Sequence, residues 1–263
     1  DIQLTQLKSD VDVNIPITNT KREDCFVLIF GNEDYASFQS GLSYESNVDF
    51  AINDAKTFAM YCEKTLGINK KNIFLNLNST SVKMKKEISK IKELIKLKNG
   101  KAEVIFYFAG HGLPKETTKE AFLIPVDVTA STINDGIKLS DLYKDLTTYS
   151  SKQIVVLLDA CFSGGARGQG LMAARGVKIK PKNDFLAGNV VVLSASSGEQ
   201  TSLPYMEKQH GIFTYFLLKR LQETKGKVTI DELANFIIQN VSIESVRTNS
   251  KKQTPQVLVS PQA

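Results

Sequence analysis

Two side chains in this sequence have the right neighbours to break an amide bond. His111 lies between two glycines, just past the apolar run Val104-Ile105-Phe106-Tyr107-Phe108. Cys161 closes Ile154-Val155-Val156-Leu157-Leu158-Asp159-Ala160 and is followed by Phe162-Ser163-Gly164. A thiol beside an imidazole is the smallest nucleophile–base pair for acyl transfer. A free thiol has a pKa near ~8.5, so it needs a base or a positive field to react quickly at neutral pH. His111 would organise the thiol proton and later donate to the leaving amine. Its flanking glycines clear away side chains and let a substrate backbone come close. The plainer alternatives are a buried packing cysteine and a structural histidine in a turn. The glycine-rich stretch after Cys161 cannot continue a strand, which argues against the first.

For the pair to meet, two neighbouring strands must deliver it to one crevice. Apolar runs of strand length, buried on both faces, are the mark of a parallel sheet, and ligands bind outside the carboxyl ends of its strands. Strands are expected at 25–30, 72–78, 103–108, 153–158 and 189–194, with a last short one at 256–259 and a short apolar piece at 121–126. Between them, Val48, Ala51, Ala55, Phe58, Cys62 and Leu66 have the spacing of a helix stripe, ended by Gly67. Met84, Ile88, Ile91 and Ile95 mark a second helix, whose lysines form a solvated face. Further helices are expected at 139–147, 213–222 and 230–241, the last capped by Thr229. Strands alternating with helices give an α/β fold with a mostly parallel sheet.

At its two motifs the chain resembles the caspase-like cysteine peptidases of clan CD, family C14. The matching pieces are Tyr107-Phe108-Ala109-Gly110-His111-Gly112 and Asp159-Ala160-Cys161-Phe162-Ser163-Gly164, with Asn53-Asp54-Ala55 and Gly31-Asn32-Glu33-Asp34-Tyr35 beside them. The fifty residues from His111 to Cys161 are also the caspase spacing. The likeness is to the metacaspase and bacterial orthocaspase branch: position 159 is Asp, where animal caspases have Gln. It spans roughly residues 25 to 259. The resemblance implies the caspase–haemoglobinase fold, a six-stranded mostly parallel sheet with helices on both faces and the last strand antiparallel. It also implies Cys161 and His111 as catalytic residues, and an oxyanion hole from the backbone N–H groups of Gly112 and Cys161.

The same resemblance implies an S1 pocket for Arg or Lys at P1, lined by Asp159 and Asp54, with Ser194 and Ser196 as weaker candidates. A carboxylate two residues before the nucleophile lies on the nucleophile's side of an extended strand. Arginine matches a carboxylate bidentately and lysine meets it as a point charge. Metacaspases often carry Cys three residues before the first acid and Ser two before the histidine; here those positions are Ala51 and Ala109. Some relatives need calcium, but Glu116, Glu120 and Asp127 lack EF-hand spacing and read as a solvated loop, so no cofactor or metal is expected. The second histidine, His210, precedes Gly211 and a helix and reads as a surface or capping residue.

The 163–188 segment breaks the alternation and is rich in glycine and basic residues. So long a loop is expected to be functional or mobile, and it reads as a linker that the enzyme cuts itself, best after Arg175 and next after Arg167. A zymogen follows from that reading. Residues 1–23 read as an arm or linker remnant, and 24–263 as one peptidase domain.

The 263 residues are 42% hydrophobic with a net charge of +5, ordinary for a globular protein. No apolar run reaches membrane-helix length, and no aromatic interleaving of the basic clusters favours nucleic acid. Cys25, Cys62 and Cys161 make no disulfide framework, and two histidines make a zinc site a poor expectation. The first residue is Asp1 rather than Met, so any signal or upstream domain is out of view. Localisation stays open, although the orthocaspase likeness implies a bacterial source. The expected partners are protein or peptide substrates, the linker among them. The competing readings are a silent homologue serving as a scaffold and an Asp-specific caspase; Asp159 opposes the latter, since a carboxylate repels an acidic P1.

Overall fold

Strands buried on both faces can satisfy their backbone groups only against neighbouring strands, and the apolar runs behave accordingly. The computed structural model describes residues 8–162, 186–197 and 200–263. In chain order the elements are β1 (Cys25–Gly31), α1 (Ala51–Lys64), β2 (Ile73–Leu77), α2 (Ser81–Leu97), β3 (Glu103–Ala109), β4 (Gly112–Pro114), β5 (Ala121–Leu123), β6 (Ile137–Lys138), α3 (Leu139–Leu146) and β7 (Gln153–Asp159). They continue with β8 (Val190–Ser194), β9 (Pro204–Tyr205), β10 (His210–Gly211), α4 (Ile212–Thr224), α5 (Ile230–Asn249) and β11 (Gln256–Val259).

The main sheet has six strands in the order β11-β8-β7-β3-β1-β2. All pairs are parallel except β11 against β8. Period-two alternation sends Val27, Ile29, Ile105, Tyr107 and Leu157 into one core, shared with α1, α4 and α5. Leu28, Phe30, Phe106, Phe108, Val156 and Leu158 enter the other, shared with α2 and α3. The six-stranded, mostly parallel sheet and its antiparallel last strand are as the sequence implied.

Three differences have local causes. Helix α1 begins at Ala51 rather than at position 48. Helix α5 runs to Asn249, eight residues past the expected end at 241; its added turns carry Ile243 and Val246, 63% and 53% exposed, so they continue no buried stripe. The apolar piece at 121–126 supplies β5, the middle strand of a small antiparallel sheet with β4 and β6.

Residues 8–22 lie along the domain. The carbonyl of Val11 accepts from the Tyr61 hydroxyl at 2.8 Å, and that of Pro16 from Thr65 Oγ1 at 2.7 Å. Asp10 pairs with Lys208 at 3.0 Å and Lys219 at 2.9 Å. Burial works against its charge, but the two ammonium groups prevail and hold its pKa at about 2. Residues 163–185, which hold most of the expected self-cleavage segment with Arg167 and Arg175, lie outside the described residues. Among the described residues no helix is long and apolar enough to cross a membrane.

Helix α1 sits directly on the end of β1. A Cβ at Gly31 would come within 2.6 Å of both the Ala51 carbonyl oxygen and the Ala55 Cβ. Gly31→Ala should therefore lower stability by about 1–3 kcal/mol, the usual cost of overpacking. Urea unfolding would measure it, and an unchanged midpoint would mean that α1 moves away at no cost.

Candidate active site

The register of β3 and β7 sets the site. Ala109 pairs with Asp159, and Gly110 N–H continues the pairing to the Asp159 carbonyl at 3.3 Å. His111 and Cys161 each lie two residues beyond this last pair, so both emerge at the same end of neighbouring strands. Gly112 then closes onto the cysteine: a Cβ there would fall 2.6 Å from the Cys161 carbonyl oxygen and 2.6 Å from the Phe162 ring. Only glycine lets the two backbones lie this close.

The imidazole of His111 is held on two sides. Its Nε2 lies 2.7 Å from the carbonyl oxygen of Ser46. A carbonyl only accepts, so this nitrogen carries the hydrogen, and in the neutral ring Nδ1 is left as the basic nitrogen. The ring of Tyr35 lies against the imidazole, with centroids 4.5 Å apart. The Tyr35 hydroxyl accepts from His111 N–H at 3.0 Å and donates to the Ile124 carbonyl at 2.8 Å. Asn47 fixes this loop: its Oδ1 accepts from the N–H groups of Tyr35 and Ala36, each at 2.9 Å. Neither the Ser46 carbonyl nor this use of Tyr35 was deduced from sequence. The Gly-Asn-Glu-Asp-Tyr motif was the available signal for Tyr35; a backbone carbonyl leaves none.

Cys161 is buried, 5% exposed, and its Sγ meets the backbone N–H of Ser202. The Ser202 hydroxyl donates to Asp159 Oδ1 at 2.5 Å, while Thr214 donates to Oδ2 through its hydroxyl at 2.7 Å and its N–H at 3.3 Å. Gln253 anchors this segment, accepting from Leu203 N–H at 2.8 Å and donating to the Ala195 carbonyl at 2.9 Å. Ser202 and Thr214 escaped the sequence reading, because their partner lies more than forty residues away. The other thiols differ in setting. Burial pushes Cys25 up to about 11 against the pull of Arg22, and burial also raises Cys62 well above the ordinary thiol range.

Asp54 is also buried. Its carboxylate accepts from His210 Nδ1 at 2.6 Å and from Gly211 N–H at 3.1 Å. His210 corrects the surface or capping reading: it is fully buried, and its Nε2 meets Asp12 at 3.0 Å. The sequence reading failed here because Asp12 lies 198 residues away. Ser194 ends β8 opposite Leu158, and the Ser196 hydroxyl donates to the Gln200 carbonyl at 3.1 Å. The loop acids serve locally: Asp127 accepts from Ser81 N–H at 2.8 Å at the start of α2, and Glu120 pairs with Lys138 at 2.5 Å. Among the described residues no group of three His, Cys, Asp or Glu side chains could hold a metal ion.

Burial opposes a charged His210 ring, but the hydrogen bonds to Asp12 and Asp54 outweigh it and raise the pKa from 6.5 to about 9. Because the folded-state value is the higher one, this stabilisation is complete below about 6.5 and lost as pH rises through about 9. The melting temperature should therefore fall across that window, with up to about 3 kcal/mol at stake. His210→Asn should be less stable at pH 7 and show a flatter profile. Parallel profiles for the two proteins would contradict the ion pair.

Residues 24–262 match the family model for the peptidase C14 caspase domain. A search of curated proteins gives no match to the chain.

Proposed function

The chain belongs to the caspase-domain family of cysteine peptidases, and from that premise we propose that it cleaves peptide bonds after arginine or lysine, with Cys161 as nucleophile and His111 as its proton partner. The observation that carries this reading is the shared exit of both residues beyond the Ala109–Asp159 pair, with the His111 ring oriented by the Ser46 carbonyl.

In the proposed reaction, Nδ1 of His111 takes the thiol proton as Sγ attacks the scissile carbonyl carbon. The carbonyl π pair moves onto oxygen, where the N–H groups of Gly112 and Cys161 would stabilise the developing charge. Collapse of this intermediate breaks the C–N bond, and His111 returns its proton to the departing amine. Water, deprotonated by the same imidazole, then hydrolyses the thioester and regenerates the thiol. The Nε2–H bond to Ser46 supports this cycle by fixing the tautomer and favouring the imidazolium that forms in each half.

Asp159 and Asp54 are proposed as the P1 acids, and Ser194 and Ser196 as flanking positions. What supports the reading is that two buried carboxylates meet the start of one helix, Asp159 through Thr214 and Asp54 through Gly211, and that Ser202 bridges Asp159 to the Cys161 sulfur. The protein is further proposed to be made as a zymogen that cuts itself after Arg175 or Arg167. Support for that comes from sequence: Arg167, Arg175, Lys178, Lys180 and Lys182 lie close together among glycines in the segment after Cys161.

A peptide panel varied only at P1 tests the specificity. Arg and Lys peptides should be cleaved, with no turnover by Cys161→Ala and little by His111→Ala. Asp159→Asn should lose about 2–5 kcal/mol of kcat/KM on the Arg peptide, the cost of truncating one partner of a buried charge pair. Preference for Asp at P1, or none at all, would refute the reading. Intact mass tests the zymogen: wild type should give two fragments with a new amino terminus at Gly176 or Gly168, and Cys161→Ala one chain. A fully active wild type that stays whole would dismiss self-cleavage as activation.

A further inference from the structure

The P1 reading leaves an electrostatic problem. A carboxylate buried away from water is favoured in its neutral form unless donors or a cation meet it, and a protonated acid is a poor counter-ion for arginine. The structure carries an answer at the start of α4, where three residues within a five-residue stretch serve both acids. His210 and Gly211 donate to Asp54, and Thr214 donates twice to Asp159. Gly211 is the N-cap of this 13-residue helix, so both carboxylates also face the positive end of its dipole.

His210 is the one side chain in that stretch able to bring a full charge. Both ring nitrogens lie within hydrogen-bond distance of carboxylate oxygens, Nδ1 of Asp54 at 2.6 Å and Nε2 of Asp12 at 3.0 Å. Ionised carboxylates only accept, so both nitrogens must donate, and a ring with two N–H groups is an imidazolium. Among the described residues no competing cation contacts the ring: from α1 come Asp54, the amide of Asn53 at 3.4 Å and the Thr57 hydroxyl on Asp12, while Lys208 and Lys219 pair with Asp10. Asp12 is held below the usual carboxylate range: burial works against its charge, and His210 and Thr57 outweigh it.

We propose that His210, fixed as an imidazolium between Asp12 and Asp54, is a positioning residue for P1 recognition, the cation that keeps Asp54 charged and aimed before a basic side chain arrives. This rests on the reading of Asp54 and Asp159 as P1 acids. The arm acquires a role with it. Asp12 supplies the second acceptor that keeps the ring charged, so residues 8–22 act on the pocket through one part-buried bond.

The chain has only two histidines, so the inference can be tested one nitrogen at a time. In a His111→Ala protein labelled with nitrogen-15, the remaining imidazole should show both nitrogens protonated at pH 7.5. Asp12→Asn in the same background should lower the pH at which the second proton leaves; this variant keeps the His210–Asp54 bond and so protects against simple misfolding. A neutral ring at pH 7.5, or a titration indifferent to Asp12→Asn, would overturn the proposal. In the active enzyme, His210→Asn keeps a donor toward Asp54 without the charge. The acid limb of kcat/KM on an Arg-P1 peptide should then move up by about one pH unit, whereas a merely structural loss would lower the whole profile evenly. An acid limb that stays in place would also overturn it. A wild type indifferent to basic P1 removes both this inference and the P1 reading; a neutral His210 beside a clear Arg preference removes this one alone.

Discussion

The parallel pairing of β3 with β7 in one register is the constraint from which the site follows. With Ala109 opposite Asp159, His111 and Cys161 leave the sheet in step, and Gly112 can close onto the Cys161 backbone. A slip of one residue would turn every side chain of one strand to the other face. It would send Phe106 and Phe108 into the core that holds Tyr107, and Tyr107 into theirs. Both faces of both strands are buried, so neither layer tolerates the exchange. The register is set by the packing of two hydrophobic cores, and the site inherits its geometry from them.

On that frame the site is assembled from polar contacts that are individually modest. A typical hydrogen bond contributes only about 1 kcal/mol net, but leaving a buried group without a partner costs more. The His111 loop illustrates this. Tyr35 bridges His111 N–H to the Ile124 carbonyl, and Asn47 pins the backbone on which Tyr35 sits. The acids are bound in the same manner, Asp159 by Ser202 and Thr214, Asp54 by His210 and Gly211. Removing any one donor leaves a buried carboxylate short of a partner, so these residues hold each other in place.

The strands were legible because parallel strands buried on both faces read as unbroken apolar runs. The carboxyl end of α5 was not legible, because Ile243 and Val246 face solvent and carry no stripe signal. Strands of two or three residues, such as β6 and β10, are too short for any period. The proposed pair, Cys161 and His111, stood out in the sequence because glycine and small residues frame both members. Their supports were not. Ser46 acts through a carbonyl that any residue would supply, and His210 finds its partners in α1 and in the arm. Such contacts exist only once the sheet has brought distant segments together.

Cys161 is proposed as the thiol presented to a substrate with a basic P1. The most direct measurement is the site of attachment of a peptide carrying Arg at P1 and a thiol-reactive group in place of the scissile bond, read by intact mass and peptide mapping. One adduct per chain is expected, on Cys161, lost in Cys161→Ala and outcompeted by an Arg-P1 peptide. An adduct on Cys25 or Cys62, or labelling that persists in Cys161→Ala, would contradict it.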